Sequence, residues 1–182
     1  MPKKDFYKFI SQLDLPFLET KQIHLQNIFE SLKNQFGLKE DSNQVFIDLG
    51  AGNGQVIIYS AINYRIRSIG IEIDPVLIEE AKNSIKSLKK HKKSEKNWFK
   101  KIKIIHGDFY QQNLETFDYI YIYSLPTMQK YLKHVLLTAK CGAIIISHIY
   151  PIQKLNQFLE LRYKVEHEIE DQKICTFIYR RV

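Results

Sequence analysis

Val45-Phe46-Ile47-Asp48-Leu49-Gly50-Ala51-Gly52-Asn53-Gly54 decides the fold of this 182-residue chain. An apolar run passes into three glycines at alternating positions, and helical spacing returns from Val56 to Tyr64. The order therefore reads strand, glycine loop, helix. Glycine in such a loop accepts the dihedrals of a tight turn and lets a ligand lie against the main chain. A dinucleotide fingerprint needs GxGxxG, but counting from Gly50 the third glycine comes one residue early and Gln55 holds the required place. Asp48, just ahead of the loop, would repel a pyrophosphate and suits a cationic ligand group instead. A P-loop is excluded because no Gly-Lys-Ser or Gly-Lys-Thr follows.

Strands and helices alternate on either side of this unit. Lys21 to Phe36 places Ile23, Ile28, Leu32 and Phe36 near helical spacing, with Gly37 as a stop. Ser68 to Glu72 is a second strand, and Pro75 opens a helix where a missing N–H costs nothing. Lys103 to His106 and Phe117 to Tyr123 are the third and fourth strands, a helix spans about Thr127 to Thr138, and Ala143 to Ser147 is the fifth strand. After Pro151 a short helix over Lys154 to Leu161 precedes two alternating runs, Tyr163 to Glu170 and Lys173 to Arg180, which read as an antiparallel hairpin. Almost wholly apolar strands alternating with helices predict an α/β fold, a mostly parallel sheet with helices on both faces and a C-terminal antiparallel hairpin. One domain, 1–182, is expected: an N-terminal segment and helix over 1–44, a ligand-binding core over 45–152, and a closing helix and hairpin over 153–182.

Composition narrows the class. With 45% hydrophobic residues, seven Gly and five Pro, the chain is neither low-complexity nor disordered. No apolar run approaches the roughly 20 residues of a membrane span. The N-terminal MPKKDFYKFI lacks the apolar stretch and small-residue cleavage site of a secretory signal, so a cytoplasmic protein is expected. Cys141 and Cys175 fall in no ligand or disulfide spacing and read as buried thiols. The formal charge of +7 is concentrated in lysines 86, 89, 90, 92, 93, 96, 100, 101 and 103, opposed in that stretch only by Glu95. At helical spacing many of these lysines face water, although with Trp98 and Phe99 they also suit nucleic acid.

Two further acids stand at strand ends. Glu72 ends the second strand, where a carboxylate can accept both hydroxyls of a ribose. Asp108 follows the third strand and Gly107, and Phe109 beside it can pack on a base. In an open α/β sheet ligands bind at the carboxyl ends of the strands, so Asp48, Glu72 and Asp108 would line one crevice holding an adenosine with a cationic appendage. S-adenosyl-L-methionine is that molecule, with Gly50, Ala51, Gly52 and Gly54 forming its floor. Asp118 begins its strand at the opposite edge and reads as a turn anchor. The six histidines form no metal spacing, so no metal is expected; His148, after the fifth strand, is read mainly as a hydrogen-bonding residue.

With these motifs the sequence resembles the Rossmann-like, seven-stranded S-adenosylmethionine-dependent methyltransferases. Leu15-Pro16-Phe17-Leu18-Glu19-Thr20, Gly107-Asp108-Phe109, Tyr121-Ile122-Tyr123-Ser124-Leu125-Pro126 and Ile146-Ser147-His148-Ile149-Tyr150 look like the small archaeal protein-lysine methyltransferase and its mitochondrial relatives, which methylate lysines of membrane carrier and ATP synthase subunits. The similarity runs from about Leu15 to Ile152. It departs where the family usually has a proline at Glu19 and an aspartate at Asn53. The resemblance implies that Phe17 and Thr20 cover the cofactor. The relatives' membrane segment would precede Leu15, and the short stretch here fits the soluble archaeal form.

The fourth strand lacks the Asn/Asp-Pro-Pro-aromatic signature of enzymes that methylate adenine or glutamine amines, and Tyr123-Ser124-Leu125-Pro126 stands in its place. Tyr123 and Ser124 are expected to shape the acceptor site, with Tyr121 and Tyr150 nearby and no general base assigned. The expected activity is methyl transfer to a protein lysine amine. The alternatives are an RNA methyltransferase guided by residues 86–103 and a non-catalytic cofactor- or RNA-binding module.

Overall fold

The computed structural model describes residues 18–91, 98–169 and 172–182. Phe17, Lys92, Lys93 and Lys96 lie outside them. The elements are α1 (Gln22–Gln35), β1 (Val45–Leu49), α2 (Gln55–Tyr64), β2 (Arg67–Glu72), α3 (Pro75–His91), a 3-10 turn (Trp98–Lys101), β3 (Ile102–His106), a second 3-10 turn (Phe109–Gln111), β4 (Tyr119–Ile122), α4 (Pro126–Gln129), α5 (Lys133–Leu136), β5 (Ile144–His148), β6 (Leu159–Ile169) and β7 (Gln172–Arg181).

They build one seven-stranded sheet in the order β3-β2-β1-β4-β5-β7-β6. The first five strands in this order pair in parallel, β7 is antiparallel to β5, and β6 is antiparallel to β7. The expected mostly parallel sheet with a C-terminal hairpin is the observed one. Period-2 alternation sends Ile47, Leu49, Ile71, Ile120, Ile122 and Ile145 to one face, against Leu132, Val135 and Leu136. Phe46, Tyr119, Tyr121, Ile144 and Ile146 go to the other, against Leu25, Ile28, Phe29 and Leu32 of α1 and Ile57 of α2.

Three local expectations are corrected. The helix over Lys154 to Leu161 does not form: Lys154 takes a left-handed φ of 61°, one turn closes on Leu155, and Leu159 already pairs with Arg181 in the sheet. The helix over Thr127 to Thr138 is two four-residue pieces, separated where Tyr131 and Leu132 donate to Met128 and Gln129 in tighter i→i+3 turns. Cys141 is exposed in the turn before β5 and Cys175 is half-buried, so neither is the buried thiol expected. Asp118 does anchor the sheet's opposite edge, accepting from the Val45 N–H at 2.7 Å and from Lys140 at 2.6 Å. No helix among the described residues is long and apolar enough to cross a membrane.

Candidate functional site

Parallel pairing brings the ends of β1, β2 and β3 side by side, and the loops that leave them are tied to one another. The Gly50 and Ala51 N–H groups both donate to the Ile71 carbonyl at 2.9 Å, and the Gly107 N–H donates to the Glu72 carbonyl at 2.9 Å. Gly50 and Gly54 have φ of 90° and 80°, the left-handed region that favours glycine. A Cβ on Gly54 would lie 3.0 Å from the Ala81 Cβ, so α3 packs directly beneath the loop. At the position paired with Asp48, Gly70 leaves room for Ala51, whose Cβ lies 2.5 Å from where a Gly70 side chain would start. Ala51 therefore spends its side chain on the sheet and offers the crevice only its main chain.

Glu72 frames this loop. One carboxylate oxygen accepts from the Gly52 N–H at 2.8 Å, and the other accepts from Ile73 and Asp74 at 2.7 and 2.9 Å. A carboxylate has about four lone-pair sites, so about one remains for a ligand hydroxyl instead of the two ribose contacts expected. Asp108 accepts from the Tyr110 N–H at 2.8 Å and from Gln111 at 3.2 Å, capping the 3-10 turn that carries Phe109. The Phe109 ring edge lies 3.7 Å from a Cβ placed on Gly50, which closes the β3 loop onto the β1 loop. Asp48, Glu72 and Asp108 thus stand at or just beyond the C-terminal ends of three neighbouring parallel strands.

Asp48 is 2% exposed. Burial, with the Glu72 charge adding to it, pushes its carboxyl well above the ordinary carboxylate range. A cation brought to this position would reverse that shift, so a sulfonium nucleoside carrying an ammonium group fits the site electrostatically. Residues 19 and 20 are tied to the glycine loop and to β4. Thr20 Oγ1 and the Tyr121 hydroxyl are 2.8 Å apart in the interior, and Asn53 Nδ2 donates to Glu19 Oε1. Burial raises the Tyr121 pKa, keeping its hydroxyl protonated, while the Thr20 bond opposes and the Asp48 charge adds to that shift.

Beyond β4 the half-buried Tyr123 ring stands edge-on to His148, with centroids 4.9 Å apart. Ser124 is buried and its Oγ has no hydrogen-bond partner among the described residues. Gln129 Nε2 lies 3.3 Å from the Ser124 carbonyl, from Ser147 Oγ and from the Tyr150 carbonyl. It thus pins the loops after β4 and β5 to each other, a role no spacing in the sequence announced. His148 has the hydrogen-bonding role expected of it, with Nδ1 at 2.7 Å from Thr176 Oγ1. Among the described residues no group of His, Cys, Asp or Glu is arranged to hold a metal.

Comparison with solved structures returns the same architecture. An RNA methyltransferase from Salinibacter ruber in complex with S-adenosyl-L-homocysteine matches at TM-score 0.66 and 22% identity, over 90% of this chain and 92% of that one. M. capricolum TrmK in complex with S-adenosyl-homocysteine matches at 0.60 and 13%, over 90% and 70% of the two chains. P. horikoshii TYW2 in complex with MeSAdo matches at 0.61 and 15%, over 93% and 66%. No curated protein matches the chain in sequence. Residues 48–158, from the buried aspartate to the turn before β6, match the family model described as ANTKMT methyltransferase domain. The chain belongs to that family and is an S-adenosylmethionine-dependent methyltransferase.

Proposed function

We propose that the methyl acceptor is a lysine side-chain amine of a protein, bound at the edge formed by Tyr123 and Ser124. Membership of the ANTKMT methyltransferase family carries this reading. The aromatic rim beyond β4 supports it, because the face of a half-buried tyrosine attracts an ammonium group. We assign the cofactor to Asp48, Gly50, Ala51 through its main chain, Gly52, Gly54, Glu72, Asp108 and Phe109, with Thr20 and, outside the described residues, Phe17 above it.

When bound, the cofactor would supply a methyl group on a cationic sulfur, an electrophile open to in-line displacement by an amine nitrogen. The protein's contribution is alignment and exclusion of water. Asp48 would hold the cationic end, Glu72 fixes the glycine loop, and the Thr20–Tyr121 bond would close the N-terminal side. An amine entering beside Tyr123 is partly desolvated, which lowers its pKa and favours the neutral nucleophile; its proton leaves to solvent. We assign to Ser124 Oγ, which has no hydrogen-bond partner among the described residues, the acceptance of a hydrogen bond from that amine.

Incubation with methyl-labelled cofactor, a deproteinised RNA pool and an RNase-treated protein extract tests the reading. Label recovered as methyl-lysine from the protein hydrolysate is the expected result. Label in RNA would transfer the assignment to the alternative, which the exposed Lys86, Lys89 and Lys90 of α3 favour. Absence of label from both would leave a binding module.

A further inference from the structure

Three imidazoles from three different elements meet behind the Tyr123 ring, on the face of the sheet that α1 covers. His24 stands in the first turn of α1, His148 ends β5, and His167 lies near the end of β6. Each is 2% exposed or less. The ring centroids are 4.3 Å apart for His24 and His167, 5.5 Å for His24 and His148, and 5.7 Å for His148 and His167. Thr176 of β7 sits between two of them, with Oγ1 at 2.7 Å from His148 Nδ1 and 2.9 Å from His167 Nε2. A hydroxyl has one hydrogen, so Thr176 donates to one ring and accepts from the other, which couples the two tautomers. Both nitrogens of His24, and Nδ1 of His167, have no partner among the described residues.

Such an arrangement is expensive for mere packing, since a neutral imidazole must bury an N–H and an unmatched buried donor is destabilising. Its neighbours show what it serves. His148 presents its ring to Tyr123 and, 6.3 Å away, to Tyr121, whose hydroxyl meets Thr20. The trio therefore joins the acceptor rim, the hairpin and the first turn of α1.

We propose that His24, His148, His167 and Thr176 form an acid-sensitive brace that, only while its imidazoles are neutral, positions the Tyr123 ring and the first turn of α1 for methyl transfer. The histidines are positioning residues, and the proposal rests on methyl transfer at the Tyr123 edge. The charges around the trio favour neutrality. Burial lowers the pKa of all three, to about 3 for His148 and about 4 for His167; His167 and His24 oppose charging of His148, and His24 opposes charging of His167. The Lys21 ammonium adds to the effect on His24. Tyr121 on β4 and Tyr123 just beyond it bring hydroxyls that burial keeps protonated. Asp48 brings a carboxyl to the adjoining strand, paired in register with Tyr121.

The sign follows from linkage. Opened, each imidazole regains an ordinary pKa near 6.5; closed, its pKa is lower. Below about pH 6.5 the open form takes up protons that the closed form refuses. Each histidine then favours opening up to tenfold per pH unit, and three together up to about a thousandfold. Loss of the acceptor amine's own proton contributes a single tenfold per unit.

Two measurements test the brace. At saturating cofactor, where Asp48 is paired and adds no slope, the acid limb of log kcat/KM for the acceptor against pH should be steeper than one in the wild type, and His167→Asn should reduce its slope by about one. A slope of one in the wild type, or one that His167→Asn leaves unchanged, overturns the proposal. The second measurement needs no acceptor and no variant: amide hydrogen exchange of wild-type His24 and Leu25, whose N–H groups donate to the Lys21 carbonyl. Corrected for intrinsic rates, their protection should collapse between pH 8 and pH 5.5 while that of β1 persists. Unchanged protection overturns the brace. Failure to methylate any acceptor at pH 8, with the exchange behaving as expected, would overturn the acceptor reading instead.

Discussion

Asn53 in the glycine loop donates a hydrogen bond to the Glu19 carboxylate, 34 residues earlier in the chain. These are the two positions at which the chain departs from the pattern it otherwise resembles, and they answer each other. An aspartate at position 53 would face Glu19 with a second negative charge. Asn53→Asp should therefore weaken S-adenosylhomocysteine binding about tenfold in calorimetry, consistent with loss of a hydrogen bond to a charged group worth roughly 1.5 kcal/mol. Glu19→Gln in the same chain should restore most of the loss, and the defect should shrink in high salt.

Asp48→Asn should separate stability from function. The native carboxyl binds its proton more tightly than the unfolded one. Asp48 therefore costs stability as pH rises above its ordinary value of 3.8, and the cost persists above its raised native value. The variant should melt higher than the wild type at pH 8, yet bind cofactor more than a hundredfold more weakly, for loss of a buried charge partner worth about 3 kcal/mol. Wild-type affinity should rise with pH, up to tenfold per unit, until Asp48 ionises in the free protein, because a cation expels its proton. A flat profile in the wild type would contradict the assigned pocket.

Thr20 and Tyr121 form an interior pair, so the variants should not be additive. Thr20→Val and Tyr121→Phe each leave the other hydroxyl unmatched, at about 1–2 kcal/mol of stability. The double variant should cost less than the sum by about 1 kcal/mol, read from denaturant midpoints at constant slope.

Ser124→Ala removes a buried oxygen with no partner among the described residues. It should leave the melting temperature unchanged or slightly higher. If Ser124 accepts from the acceptor amine, kcat should fall about tenfold with cofactor affinity intact. An unaltered kcat would reduce Ser124 to packing.

The strand, glycine loop and helix were legible because their signals are local. Asp48 through Gly54 declares its conformation within a handful of residues, and Glu72 and Asp108 announce themselves by standing where apolar runs stop. What was hidden depends on pairings remote in the chain. His148 meets Thr176 across 28 residues, and His24 finds His167 only once the sheet has placed β6 beyond β7. Leu155, Phe158 and Leu159 have helical spacing, but sheet pairing of Leu159 outweighs it, as tertiary contacts routinely outweigh local preference. The lone-pair count of Glu72 was likewise invisible, since three main-chain N–H groups claim it only after the loop has closed.

The sheet order places β7 between β5 and β6, although β6 is made first. During synthesis on the ribosome β6 emerges with no strand to join, and the slot beside β5 stays unfilled until the residues up to Arg181 have left the exit tunnel. Thr176 arrives with them. A nascent chain can thus shape its glycine loop early while lacking the finished rim around Tyr123, so competence to modify a target should appear only after translation has passed the final strand.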